Sequence, residues 1–266
     1  MKPGIDALAE RCRVITFSLA DEPSCGGRFD ERRGFWCYVD QVREALDAAG
    51  VRQATICGMS YGGLIAAAFA ARHPDRTSSL VLVSALPPSW TPNARVRFYL
   101  RAPRLLAPLF LLASLRMYPE IASANPGVVR GVLAATRHGW RAVTHMFSPS
   151  RMARRVHLLA SVELDRELRG ATAVPSPALP SPALPLPTPP LPTQPTLIIT
   201  GEPELDRVVA VGTTREYLRL WPQASMATIA RTGHLGLMTR PAEFARLVAP
   251  FAERAAHDLD TRRRVG

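Results

Sequence analysis

The sequence predicts an α/β domain, a mostly parallel sheet covered by helices on both faces. Three observations predict it. Short apolar runs alternate with longer segments of helical period. The turn Gly58-Met59-Ser60-Tyr61-Gly62-Gly63 joins one such run, Ala54 to Cys57, directly to an alanine-rich run, Leu64 to Ala71. At 266 residues and 47% hydrophobic content the chain is long enough for one sizeable core with an elaboration, and short for two independent domains.

Taken in order, Lys2 to Arg11 reads as the tail of a helix and Arg13 to Leu19 as a β-rich strand, followed by a loop with Pro23, Gly26 and Gly27. Tyr38, Val42, Leu46 and Ala49 recur at helical spacing, and Gly50 supplies the stop. Next come the strand Ala54 to Cys57, the serine turn, a helix closed by His73-Pro74 and a strand over Leu80 to Ser84. Residues 1–86 thus form the first part of a core. Residues 87–170 change to helices without strands, carrying Leu105, Leu106, Phe110, Leu111, Leu112, Leu115 and Met117, and read as a helical cap packed through these side chains. Residues 171–195 are a linker: Pro175 to Pro195 holds ten of the 25 prolines, with Pro-Ser-Pro-Ala-Leu in tandem, which neither a helix nor a central strand accepts. The core resumes over 196–266 with strands Thr196 to Thr200 and Ser225 to Ala230 and a closing helix over Pro241 to His257, its proline at an early position.

A formal charge of +11 and a pI near 10.6 invite a nucleic-acid partner, yet Lys2 is the only lysine, and the arginine, alanine, leucine and proline bias resembles a GC-rich coding sequence. The clusters Arg151 to Arg155 and Arg262 to Arg264 lack interleaved aromatics and glycine-rich loops, so no nucleic-acid partner is expected. Cys12, Cys25, Cys37 and Cys57 form no C-x-x-C pair, which argues against a zinc site and a disulfide framework, and Cys57 reads as a small buried core residue. The N-terminus has no signal-peptide pattern, and the longest apolar stretch, Leu105 to Leu115, is broken by Pro108 and too short for a bilayer. A cytoplasmic protein without membrane attachment is expected. Oligomeric state leaves no mark in the sequence.

Strand, sharp turn and helix with a serine at the tip is the arrangement that lifts a nucleophile clear of a sheet. The turn strains the backbone and brings strand and helix close, which predicts no room for side chains at Gly58 and Gly62. A bare G-x-S-x-G arises roughly 0.1 times by chance in a chain of this length; the flanking strand and helix give it weight. A serine is a poor nucleophile at neutral pH and needs a base, which in turn needs an orienting acid. Of six histidines, His234 in Arg231-Thr232-Gly233-His234-Leu235-Gly236 follows a late strand and is flanked by glycines, whereas His73, His138, His145, His157 and His257 lie in or end helical patterns. No Asp or Glu occurs between Asp75 and Glu120, so the loop after Leu80 to Ser84 cannot supply the acid. Thr196 to Thr200 leads instead into Gly201-Glu202-Pro203-Glu204-Leu205-Asp206-Arg207-Val208-Val209. There Asp206 is the first candidate and Glu204 the alternative, while Glu202 reads as a solvated loop charge.

On the elbow Gly58 to Gly62, the post-strand Asp206-Arg207-Val208-Val209 and Gly233-His234, the chain resembles the α/β-hydrolase superfamily, in its cap-bearing branch of esterases, lactonases, peroxidase-like and carbon–carbon bond hydrolases. The resemblance implies an α/β-hydrolase fold whose mostly parallel sheet is flanked by helices under a helical cap. It implies that Ser60 attacks an acyl carbonyl, His234 shuttles the proton, Asp206 holds the imidazole and the Tyr61 amide donates to the oxyanion. Met59, Trp90 and Tyr99, with Trp140, are candidates to contact substrate. The expected enzyme uses no metal or cofactor and hydrolyses a small or medium ester, thioester or lactone. Serine at the tip argues against the dehalogenase branch, whose nucleophile is aspartate. The family pattern normally opens with a strand and a second oxyanion loop before the helix that Lys2 to Arg11 finishes. The sequence therefore reads as N-terminally truncated, its first core strand missing, and a degenerate, ligand- or partner-binding member of the fold is the rival expectation.

Overall fold

A computed structural model describes residues 1–124, 129, 132, 133, 136, 148–162, 164, 168 and 194–265. The elements are α1 (Lys2–Ala9), α2 (Trp36–Ala48), β1 (Ala54–Met59), α3 (Tyr61–Arg72), β2 (Thr77–Val83), α4 (Ala94–Arg101), α5 (Ala107–Ser114), α6 (Tyr118–Ala124) and α7 (Pro149–Ala160). After residue 193 follow β3 (Thr196–Thr200), α8 (Tyr217–Leu220), β4 (Ser225–Thr228), α9 (Gly236–Thr239) and α10 (Pro241–Val265). The proline-rich stretch up to residue 193 and Trp140 lie outside the described residues.

The four strands pair in parallel in the order β1-β2-β3-β4. Every residue of β2 and β3 is buried, the signature of strands covered on both faces. Because strand side chains alternate, β2 feeds two separate cores. Leu80 and Leu82 join Ile56 and Ile198 beneath α2 and α3, where Tyr38, Leu64 and Phe69 are fully buried. Val81 and Val83 join Leu197 and Ile199 on the opposite face, against Leu237 of α9 and Phe244 and Val248 of α10. Helix α2 ends where Gly50 takes φ +65°, a left-handed stop suited to glycine. Residues Thr196–Thr200 form the strand expected there, and β4 is shorter than expected at Ser225–Thr228.

Three expectations are corrected. Residues 13–19 are not a strand: Ile15 and Leu19 pack against the α2/α3 core from an irregular segment. Side chains serve this segment in place of a ladder, since Gln41 Nε2 donates to the Ser18 carbonyl at 2.9 Å and its Oε1 accepts from the Ala20 amide at 2.9 Å. Consequently β1 pairs with β2 alone among the described residues and forms an edge of the sheet. Cys57 is exposed there instead of buried. Lastly, Leu105, Leu112 and Leu115 are exposed and do not fill a core between cap helices.

Exposure at the edge of β1 predicts that iodoacetamide at pH 8 alkylates Cys57 at least about 10-fold faster than the buried Cys37, as read by peptide mass spectrometry, because a reactive thiol must meet the reagent in water. Equal rates at the two cysteines would contradict the open edge of β1.

Candidate active site

In a parallel sheet every strand delivers the residues that follow it to the same rim. Ser60 follows β1, Asp206 lies in the loop after β3, and His234 lies in the loop after β4. Topology thus gathers the three candidates at the carboxyl ends of the strands.

Ser60 occupies φ 52°, ψ −120°, a conformation a non-glycine residue holds only when its surroundings impose it. The surroundings are visible. The Ser60 amide donates to the Val83 carbonyl at 3.0 Å, and the Ser60 carbonyl accepts from Gly63 at 2.9 Å and Leu86 at 3.3 Å. A Cβ at Gly58 would come closer than 3.0 Å to the Gly62 carbonyl, so strand and helix do cross too tightly for a side chain there. The companion site is Gly63, not Gly62 as expected. A Cβ at Gly63 would collide with Ala85 just beyond β2, whereas one at Gly62 would meet nothing within 4 Å. Tyr61 opens the 12-residue helix α3, where the first amides have no intrahelical acceptor. Its ring turns away into the core, edge-on to Phe35 and Tyr38 at centroid distances of 6.1 and 5.9 Å, and burial pushes its hydroxyl above the ordinary range.

Asp206 is buried with its side chain 2% exposed; Oδ1 accepts from the amides of Val208 at 3.0 Å and Val209 at 2.8 Å. These bonds aim Oδ2 at the imidazole, 3.5 Å from His234 Nδ1, which makes no hydrogen bond among the described residues. A long contact of this kind is common before substrate binds. Glu204 is exposed, and Glu202 caps the neighbouring loop by accepting from the Arg231 amide at 2.8 Å.

The two loops touch backbone to backbone. A Cβ at Gly233 would overlap the Leu205 carbonyl and the Asp206 amide, and one at Gly201 would overlap the carbonyls of Thr232 and Gly233. The Glu202 amide adds a bond to the Thr232 carbonyl at 2.7 Å. Glycine is needed at both positions for Asp206 and His234 to meet.

Of the predicted substrate contacts, Met59 packs partly buried against the α9/α10 core and Trp90 against the α2/α3 core. Tyr99 in α4 donates its hydroxyl to the Leu109 carbonyl at 3.4 Å. Sequence reasoning missed Glu120, a buried carboxylate of α6 bonded to the His234 loop. Its only signal was being the first acid after a long acid-free stretch. A cleft of about 570 Å³ lies elsewhere, lined by Glu31, Pro103, Ser150, Arg154, His157 and Ser161, and none of Ser60, Asp206 or His234 borders it. Among the described residues no group of three or more His, Cys, Asp or Glu side chains is placed to hold a metal, and no helix is long and apolar enough to cross a membrane.

The fold and this rim define an α/β enzyme scaffold with a strand-turn-helix serine. Residues 5–247 match the model of the alpha/beta hydrolase family, and the chain belongs to that family. It is 26% identical over 243 residues to the 2-hydroxymuconate semialdehyde hydrolase of Pseudomonas putida, covering 91% of this chain and 75% of that protein. Among solved structures it superposes on MGS-M2, an alpha/beta hydrolase enzyme from a Medee basin deep-sea metagenome library, with a TM-score of 0.57 at 19% identity over 85% of this chain and 74% of that one. The corresponding values for Est816, described as an N-acyl homoserine lactone degrading enzyme, are 0.55, 20%, 82% and 74%. At these identities the two structures speak for the fold.

The elbow generates a paired prediction. Gly63→Ala is expected to cost about 1–3 kcal/mol through overpacking against Ala85. Gly62→Ala, open and helical, is expected to be neutral or to stabilise by up to about 1 kcal/mol. Urea unfolding of the two variants checks the order, and the reverse order would contradict the packing described.

Proposed function

We propose that the protein is a serine hydrolase acting on a small or medium carboxylic ester, thioester or lactone through an acyl-enzyme. The single observation that carries this reading is Ser60 held in its strained conformation on the same rim where buried Asp206 faces His234 at 3.5 Å. Ser60 Oγ bonds to the acyl carbon as its proton passes to His234, and Asp206 stabilises the imidazolium that results. The Tyr61 amide, at the positive end of α3, donates to the oxyanion. Collapse breaks the bond to the alkoxide or thiolate, which leaves with the proton from His234. Water then attacks the acyl-enzyme by the same steps, releasing the acid and restoring Ser60. The family match and the hydrolase relative support the general class, while the acyl substrate and the three residue roles are this reading's own.

One observation favours a second reading. β1 is a sheet edge among the described residues, and the family resemblance places a further strand and a second oxyanion donor beside it. Lack of one donor costs roughly 100- to 1,000-fold in rate. Lack of function altogether would leave a ligand- or partner-binding member of the fold.

A fluorophosphonate separates the two. Attack by Ser60 Oγ forms the Oγ–P bond, expels fluoride and passes the serine proton to His234. Covalent labelling of the purified chain, lost in Ser60→Ala, is the expected result. A folded chain that stays unlabelled would overturn the enzymatic reading.

A further inference from the structure

We propose that Glu120, carried by the cap helix α6, is a positioning residue for the base His234. This rests on the reading of His234 as the base. Glu120 is 1% exposed, which a carboxylate tolerates only when donors surround it. The donors all come from one short stretch. Thr232 Oγ1 donates to Glu120 Oε1 at 3.0 Å, and the Leu235 amide donates to the same oxygen. These residues bracket His234 on both sides, so one carboxylate fastens the chain where it enters and leaves the imidazole. Thr232 is fastened again by Thr239 Oγ1 at 2.6 Å.

The arrangement complements Asp206. Asp206 orients the ring through Nδ1, and Glu120 holds the backbone that carries the ring. Burial holds the Glu120 carboxyl above the usual carboxylate range, although the Leu235 amide and the Thr232 hydroxyl pull it down. Glu120 Oε2 is buried and accepts no hydrogen bond among the described residues, so Oε1 alone carries the contact to the His234 loop. Since Glu120 belongs to α6 and not to the sheet, the placement of the base depends on the placement of the cap.

The test compares the full chain with Glu120→Ala, Glu120→Asp and Glu120→Gln by amide hydrogen exchange and by the rate of fluorophosphonate labelling. Gln keeps an acceptor at the position of Oε1, whereas Asp keeps the charge but withdraws the oxygens by one carbon. Exchange at the Leu235 amide is expected to rise at least about 10-fold in Ala and Asp and to stay near wild type in Gln, the magnitude following from loss of a buried acceptor. Labelling is expected to slow by about 10-fold or more in Ala and Asp, with most of the rate recovered in Gln. Wild-type exchange at the Leu235 amide in Glu120→Asp, or equal labelling in all variants, would overturn the assignment. If Ala does not fold, the contrast between Asp and Gln decides. An unlabelled wild type would defeat the serine reading, and the exchange measurement would still judge Glu120.

Discussion

Two loops in this protein meet without side chains between them, and the candidate site depends on that contact. Gly201 begins the loop after β3 and Gly233 lies in the loop after β4; a Cβ on Gly201 would meet the Thr232–Gly233 backbone, and one on Gly233 the Leu205–Asp206 backbone. β3 and β4 are neighbours in register, with Thr200 opposite Thr228, so the sheet delivers the loops side by side. The glycines then let them close. Closure places Asp206, already aimed by two backbone amides, against Nδ1 of His234. The energetic logic is that of a buried polar cluster: each member is costly alone and tolerable only with its partners in place.

Polar contacts between distant segments tie the fold together around this sheet. Arg155 of α7 forms a forked contact with Asp21, Nε to Oδ2 at 3.0 Å and Nη2 to Oδ1 at 2.7 Å, and reaches Glu22 at 2.9 Å. The Asp21 side chain is fully buried, so this fork satisfies a charge that would otherwise be stranded. Close to the elbow, Tyr217 donates to the Leu86 carbonyl at 2.7 Å, beside the Leu86 amide that holds Ser60. Glu120 adds the contact that reaches the His234 loop itself.

Much of this was legible from local pattern. The helices α2 and α3, the strands β1 to β4 and the placing of Ser60, Asp206 and His234 after strands all follow from periodicity, glycine position and spacing along the chain. What escaped depends on contacts between distant segments. Gly63 rather than Gly62 is the crowded position because Ala85, beyond the next strand, stands over it. Residues 13–19 have strand composition, but composition makes a strand only where a ladder is offered, and Gln41 offers side-chain bonds instead. Cys57 sits in an apolar run and is exposed because nothing among the described residues pairs with the far side of β1. Glu120 carries no motif; its contact comes from α6 lying against a loop more than a hundred residues later.

The claim that the glycine contact assembles the site is tested most directly by fluorophosphonate labelling of Gly233→Ala, with circular dichroism to follow the fold. The account predicts a chain that keeps its sheet and helices while the labelling rate falls by about 100-fold or more, since a reacting group displaced by about 1 Å loses that much. A Gly233→Ala protein labelled at the wild-type rate would show that Asp206 and His234 work together without the contact, and would contradict the account.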